Sequence, residues 1–399
     1  MKILYLCHRF PFPPNRGGKI RPFNMIRHLA RSHEVVVASI ARSDAEAEAG
    51  RGLDAHGVTS FMGRIGAAQA VLQMLATVPT TIPASMGYFH SPWLRRRVRE
   101  AATRDGIELI VVHCSSVAPY VEDLTHLPKL LDFGDMDSEK WLAYARRRGF
   151  PHSVVDGLEG IKVRRAENRL ARRFDYLTAT TPLELATIEE RGLGTPASCV
   201  PNGVDMEYFS PSPEPYDPDR VVILGRQDYY PNIESTLRFC ERILPRVRAR
   251  RPGVRVVVVG ADPVPPVRRL ADLPGVTVTG SVPDVRPHVR PAAVSVAPLS
   301  IARGTQNKIL ESMAMGVPVV VSPVAARGVD AVAGEHLLAA DGDEAFADAV
   351  VRVLGDRAER DRLARAGRER VAARHSWETS MRLLDEAVAS CVRRFRERA

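Results

Sequence analysis

The segment Gly304-Thr305-Gln306-Asn307-Lys308-Ile309-Leu310-Glu311 carries the residue types that recognition of an anion needs. A glycine followed by open backbone N–H groups at a helix start presents a positive end to a diphosphate. Lys308 adds a cation for a phosphate oxygen. Glu311 lies one turn on, where an ionised carboxylate can accept hydrogen bonds from ribose hydroxyls. Gly316-Val317-Pro318 then closes the helix and enters a strand. The plainer alternative is a helix start with a surface lysine and glutamate. Glycine, lysine, glutamate and the Gly-x-Pro exit all fall in register, which favours the ligand site.

Other chemistry-bearing groups lie upstream. Gly225-Arg226-Gln227-Asp228-Tyr229-Tyr230-Pro231-Asn232 follows a strand, so Arg226 can meet a phosphate and Asn232 can cap the next helix. The loop from His8 to Arg21 holds Gly17-Gly18, where backbone can approach an anion closely, with Arg16, Lys19 and Arg21 around it. The glycines also fit a turn among solvated arginines. They do not form GxGxxG, so the dinucleotide fingerprint is absent. Asp132, Asp135 and Asp137 lie just past a predicted strand and suit hydroxyl recognition or acid–base work. Asp137 equally suits a helix cap. Alternating aspartates also suggest a metal, but no EF-hand pattern follows, and the expectation is that neither a metal nor another cofactor is required. His113 ends a strand of the same half, as a structural or a catalytic histidine, and Ser115 or Ser116 can cap the next helix.

These residues need a scaffold of alternating strands and helices. Apolar runs at Lys2–Cys7, Val35–Ile40, Leu109–His113, Lys129–Leu131, Tyr176–Thr180 and Ala197–Val200 read as strands. Helical spacing occurs at Arg21–Arg31, Arg64–Val78, Pro92–Arg104, Asp137–Arg148, Val154–Arg173 and Pro182–Arg191. Pro201-Asn202-Gly203-Val204-Asp205 and the proline-rich stretch Pro211–Pro218 interrupt the rhythm. The pattern then restarts. Strands are predicted at Arg220–Leu224, Val256–Val259, Val276–Thr279, Val294–Ala297 and Val317–Val321, and a helix at Asn232–Arg250. Beyond Asp343 the chain is nearly all helical, ending in Trp377–Arg398. Such an order predicts an α/β chain of two doubly wound domains, 1–203 and 204–375, with a terminal helix over 376–399.

Bulk properties narrow the partners. The chain has 399 residues, 45% hydrophobic and 26% charged, enough for two buried cores. The formal net charge is +9. It reflects either an arginine-rich composition or a surface for anionic lipid or phosphate. Nucleic acid is disfavoured, because the basic residues are scattered and no zinc spacing or aromatic RNA-binding signature occurs. The five cysteines are far apart and form no CxxC, as in reduced thiols of a cytoplasm. No signal peptide is visible, and no apolar run reaches the roughly 18 residues of a membrane span. The expected location is the cytoplasm, or the inner face of the plasma membrane if the basic helices from Trp141 to Arg173 lie on anionic headgroups.

At these residues the chain resembles glycosyltransferases of the GT-B fold, in the retaining family 4 group. More narrowly, it resembles the sugar transferases associated with exosortase/PEP-CTERM exopolysaccharide systems. The matching segments are Arg9–Arg21, Asp132–Trp141, Pro201–Asp205, Gly225–Asn232, Gly260, Gly280, Pro298–Val320 and Ser376-Trp377. The resemblance implies two Rossmann-like domains facing across a cleft that binds a nucleotide-diphosphate sugar. Nucleotide would sit mainly on the second domain, a glycan or polyprenyl-linked acceptor on the first, and the terminal helix would pack back on the first.

It further implies transfer with retention, in exopolysaccharide or cell-surface polysaccharide synthesis. Lys308 and Arg226 would stabilise the leaving diphosphate, with Asp132, Asp135 and His113 as the other catalytic candidates. Gly17, Gly18, Gly225, Asp228, Gly304, Thr305, Gln306, Asn307 and Glu311 would hold the donor. One position departs: family members carry two glutamates separated by seven residues, and where the first should stand this chain has Arg303. That puts the donor sugar in doubt. It also keeps open a non-catalytic scaffold subunit; a second rival is another enzyme of the fold, a nucleotide-sugar epimerase, and a nicotinamide-dependent oxidoreductase is disfavoured by the missing fingerprint.

Overall fold

The computed structural model describes residues 1–14 and 17–398, so Asn15 and Arg16 of the first loop lie outside the described residues. The chain divides into two compact units: Met1–Pro201 with the residues from Ser380 on, and Asn202–Thr379. Each is built on one parallel sheet. Short, almost wholly apolar strands are what such a sheet requires, since helices cover both of its faces.

The first unit contains β1 (Lys2–Cys7), β2 (Glu34–Ala41), β3 (Thr59–Arg64), β4 (Leu109–His113), β5 (Lys129–Gly134), β6 (Tyr176–Ala179) and β7 (Ala197–Cys199). Their order is β3-β2-β1-β4-β5-β6-β7. All neighbours are parallel. The direction of winding reverses between β1 and β4, a switch point of the kind at which open α/β sheets bind ligands beyond the carboxyl ends of their strands. His8 and Gly17-Gly18 follow β1, and Cys114 follows β4. β3 was not expected; a predicted helix covered its last residue, and the helix there is Ala67–Ala76. β5 runs to Gly134, past the predicted end at Leu131, so Asp132 sits inside the sheet and not beyond it. From Ser380 on, the terminal helix Trp377–Arg398 packs on this unit through Asp385 to His28 (2.9 Å) and Arg398 to Asp175 (2.9 Å).

The second unit contains β8 (Asp217–Leu224), β9 (Arg255–Val259), β10 (Val276–Val278), β11 (Ala292–Ala297), β12 (Val319–Val321) and β13 (Leu338–Ala339). Their order is β10-β9-β8-β11-β12-β13, with winding reversed between β8 and β11. β8 begins inside the proline-rich stretch, where Pro218 is tolerated beside a register shift in the β11 partner. The helix predicted from Asn232 to Arg250 starts at Tyr230 and loosens into a π turn over Phe239–Ile243. Pro245 explains the turn: it has no N–H to return to the preceding turn, so the ladder there widens.

The first unit packs round a cluster that holds Leu4, Leu6 and Val112, and the second round several, one with Val256, Val258 and Phe346 and another with Leu310, Met313 and Val319. All five cysteines are free. Among the described residues no helix is long and apolar enough to cross a membrane.

Candidate functional site

In the second unit the loops after β8, β9 and β11 meet. Gly225 has φ +143°, open only to glycine, and a Cβ on Gly260 would fall 1.8 Å from the Gly225 carbonyl oxygen. Gly225 N–H donates to Val259 O (3.0 Å) and Gln227 N–H to Ala261 O (2.8 Å). Gln227 is wholly buried, accepting from Thr236 Oγ1 at 3.1 Å. The loop is therefore held by its own backbone and one internal amide.

Asn232 does not cap its helix. The cap position is Tyr229, and Asn232 lies within the first turn. Its side chain instead bridges two segments: Nδ2 donates to Arg226 O (2.8 Å) and Oδ1 accepts from Lys308 Nζ (2.5 Å). Lys308 lies in the first turn of the helix Asn307–Ala314, whose cap is Gln306. The helix thus begins three residues after Gly304, not at it. Gly304 (φ +65°), Thr305 and Gln306 form the lead-in, and Gln306 Nε2 braces it on Arg303 O at 3.2 Å. The lead-in runs tight against the chain near Gly328, where a Cβ would come 2.4 Å from Gly304 O. Asn307 Oδ1 accepts from Asn202 Nδ2 at 3.2 Å. The Thr305 hydroxyl is buried without a hydrogen-bond partner.

Glu311 stands one turn beyond Lys308, half-buried like it. Among the described residues nothing donates a hydrogen bond to its carboxyl. Burial pushes that carboxyl up to about 7, against the pull of Lys308. Burial likewise pushes the Lys308 ammonium down to about 8, opposed by Glu311. The pair is thus poised close to neutrality at a helix N-terminus, with the lysine oriented by Asn232. Arg226 is placed at the same mouth, but its guanidinium is already engaged by Asp228 (2.7 Å) and Asp262 (2.5 Å). Its charge is therefore offset before any phosphate arrives. Asp228 is drawn toward Arg226 in the same way.

In the first unit, Asp132 is the buried hub. It is 0% exposed and accepts from Arg21 Nε (2.9 Å), Arg21 Nη2 (2.8 Å), Thr178 Oγ1 (2.8 Å) and His113 Nδ1 (2.7 Å). Burial alone would raise its carboxyl, but Arg21 and His113 hold it well below the usual carboxylate range. This corrects its assignment as an acid–base or hydroxyl-binding group: it is saturated, ionised and out of reach. The same finding removes Arg21 from the anion loop, since it is 2% exposed and also donates to Val200 O (2.7 Å). Lys19 is taken by Glu46 at 3.0 Å.

Asp132 in turn sets His113. An ionised acceptor at Nδ1 requires the proton on that nitrogen, which leaves Nε2 as the ring atom available to another group. Cys114 is next in the chain at φ +81°, a conformation that side chains rarely adopt, so the backbone is strained beside this histidine. The cap at the next turn is Cys114, without a side-chain bond, so neither Ser115 nor Ser116 caps it.

His8, directly after β1, lies beside His113, a neighbour that the sequence does not reveal. Its ring lies 5.8 Å from that of His113 and 5.1 Å from Phe89, edge-on, and Nδ1 has no partner. Burial, then His113, Arg9 and Lys140, push it well below its ordinary value, so it is a neutral ring. Its position directly after the first strand is legible in the sequence. Gly17 and Gly18 open the helix Gly17–Leu29, and a Cβ on Gly18 would lie 4.0 Å from His8 Nε2.

Asp135 accepts from Thr180 Oγ1 at 2.7 Å, and burial raises its carboxyl. Asp137 is the first residue of the helix Asp137–Arg147 and not its cap, with Lys140 at 2.5 Å. The three aspartates therefore diverge onto Arg21, Thr180 and Lys140. Among the described residues no three His, Cys, Asp or Glu side chains are grouped as a metal would need.

Comparison with known proteins agrees with this architecture. Sucrose-phosphate synthase from Thermosynechococcus elongatus superimposes with TM-score 0.70 at 18% identity, covering 97% of this chain and 98% of that one. Anabaena HepE in complex with UDP gives 0.69 at 16% identity, covering 98% and 100%. S. aureus TarM, in a complex with UDP, fondaparinux and alpha-GlcNAc-glycerol, gives 0.69 at 10% identity, covering 99% and 99%. No curated protein matches in sequence. The chain has the GT-B fold, and its residues 218–356, which carry the Gly225–Asn232 and Gly304–Glu311 segments, match the family model described as Glycosyl transferases group 1.

Proposed function

We propose that the protein transfers a glycosyl group from a nucleoside-diphosphate sugar to a glycan or lipid-linked glycan acceptor. The observation that carries this reading is the Lys308–Glu311 pair at the N-terminus of the Asn307–Ala314 helix, with Lys308 oriented by Asn232. The group 1 match over 218–356 supports it, and so do UDP-bound structures of the same fold. Glu311 accepts from the ribose hydroxyls. Lys308 and the helix N-terminus stabilise the diphosphate as it leaves. The bond from the anomeric carbon to the phosphate oxygen breaks, with its electron pair on the diphosphate. An acceptor oxygen bonds that carbon, and its proton passes to a leaving phosphate oxygen, so no protein nucleophile is required.

On the first unit, His113 Nε2 is the ring atom left over once Asp132 has taken Nδ1, which suits a sugar hydroxyl. Retention at the anomeric carbon, and a place in exopolysaccharide or cell-surface polysaccharide synthesis, rest on the sequence resemblance. Arg303, in place of a glutamate, leaves the donor sugar open.

A panel of UDP-, GDP- and ADP-sugars, assayed for nucleotide release with and without membrane extract, tests the proposal. Acceptor-dependent release, with a product of unchanged anomeric configuration by NMR, is the expected result. Conversion of the donor without any acceptor would instead indicate an epimerase. Failure of every nucleotide to bind in calorimetry would leave the scaffold reading.

A further inference from the structure

Residues 65–94 contain no Asp, Glu, Lys or Arg, in a chain in which 26% of residues are charged. The helix Ala67–Ala76 lies in this stretch and buries only Ala70. Its apolar side chains are not spent on the core: Leu72 is 67% exposed, and Val71, Leu75, Val78 and Ile82 are exposed with it.

A second element repeats the inversion. In the helix His152–Ala171, Asp156 and Glu159 are buried while Val154, Val155, Leu158 and Ile161 are exposed. The spacing of those four is i, i+1, i+4, i+7, one helical face. Phe150, at the start of the hairpin turn before it, is 86% exposed. A helix with acids inside and aliphatics outside is the reverse of what water selects.

The two elements form one surface. Glu159 accepts from the Ala84 and Ser85 N–H groups (2.8 and 3.0 Å), and Lys162 Nζ donates to Thr77 O and Val78 O (3.0 Å each). These bonds fix the His152–Ala171 helix against the segment that follows Ala67–Ala76. They also bury Glu159, while Asp156 pairs with Arg148 at 3.2 Å, and they join the two elements that carry the exposed aliphatics.

The charge that remains exposed is of one sign. Between residues 141 and 166 the only acids are Asp156 and Glu159, both buried, whereas Arg146, Arg147 and Arg165 are exposed and Arg164 is paired with Glu139 at 2.8 Å. Apolar surface bordered by an excess of cations complements an anionic lipid interface, which takes the aliphatics among its acyl chains and the arginines at its headgroups. A second copy of the chain would set arginine against arginine.

We infer that the apolar face shared by Ala67–Ala76, its following loop, and the Phe150–Ile161 hairpin docks on an anionic bilayer surface. Among the described residues no helix is both long and apolar enough to cross, so the contact is in the plane of the interface. The inference stands on this surface and does not depend on the donor-site reading.

The test is flotation of the full chain with vesicles of phosphatidylcholine alone and of phosphatidylcholine with phosphatidylglycerol. The wild-type chain should float with the anionic vesicles. The pairs Leu72→Gln/Leu75→Gln and Val155→Gln/Leu158→Gln should each lower binding about ten-fold or more. Arg146→Glu/Arg147→Glu should lower binding to the anionic vesicles only. All these side chains are exposed, so the melting temperature and UDP affinity should not change. Absence of flotation would overturn the inference, and so would flotation indifferent to both apolar pairs. Self-association that the same pairs abolish, without lipid binding, would assign the face to a second copy instead.

Discussion

Lys308 and Glu311 share a helix start at which neither charge is well solvated. The carboxyl, raised to about 7, must be ionised to accept from ribose, and the ammonium, lowered to about 8, must be protonated to meet a phosphate. UDP affinity should therefore rise from pH 6 toward pH 7–8 as Glu311 ionises, then fall as Lys308 loses its proton. Calorimetry across that range checks this, and a flat profile would separate the pair from nucleotide. Glu311→Gln should remove the acid limb and weaken UDP by about 1.5–3 kcal/mol, the value of a charge-assisted hydrogen bond.

Asp132 makes the opposite kind of prediction. Asp132→Ala leaves Arg21 charged and buried without its carboxylate, which should cost about 3–5 kcal/mol of stability in a denaturant titration. Because the Asp132 carboxyl lies below its unfolded value, its stabilisation is complete above about pH 4 and is lost as pH falls further. A variant as stable as the wild type would contradict the hub.

Among the elements, the legible ones are those whose pattern is local. β1, β4, β9 and β11 are apolar runs bounded by loops, and each can be read from its residues. β3, Thr-Ser-Phe-Met-Gly-Arg, is an edge strand with little apolar density, and β13 has only two residues, so neither leaves a periodic signal. The proposed donor segment is readable because Gly304, Lys308 and Glu311 lie within a short stretch of chain and helix. The Asp132 hub is not, because its partners Arg21, His113 and Thr178 come from three other elements and only the folded sheet brings them together. The Asn232 bridge is hidden for the same reason: its partner Lys308 comes after a different strand. Gly260→Ala tests the packing of these elements. Its Cβ would meet backbone, not a movable side chain, so the loops must separate. The expected outcome is a lowered melting temperature together with weaker UDP binding, and a change in neither would mean that the loops yield without consequence.

At the scale of the molecule, each unit has its own sheet and its own hydrophobic core. The switch-point residues that match the group 1 model all lie in the second. Calorimetric unfolding should accordingly resolve two transitions, and UDP should raise only one of them. The gain follows ligand linkage, about 2.7 kcal/mol at a hundred-fold excess over Kd. A Glu311→Gln chain at the same UDP concentration should lose at least half of that shift while keeping both transitions. A single transition that moves as a whole with UDP would show that the units unfold together.

Because Gly260 approaches the Gly225 carbonyl so closely, the loops after β8 and β9 act as a single interlocking part, each shaped to the other's main chain. For engineering, this makes them one exchangeable module. Chimeras that swap one of them alone with a relative should misfold locally even when every side chain is compatible. Exchanging both loops together should carry the intact mouth into the new host.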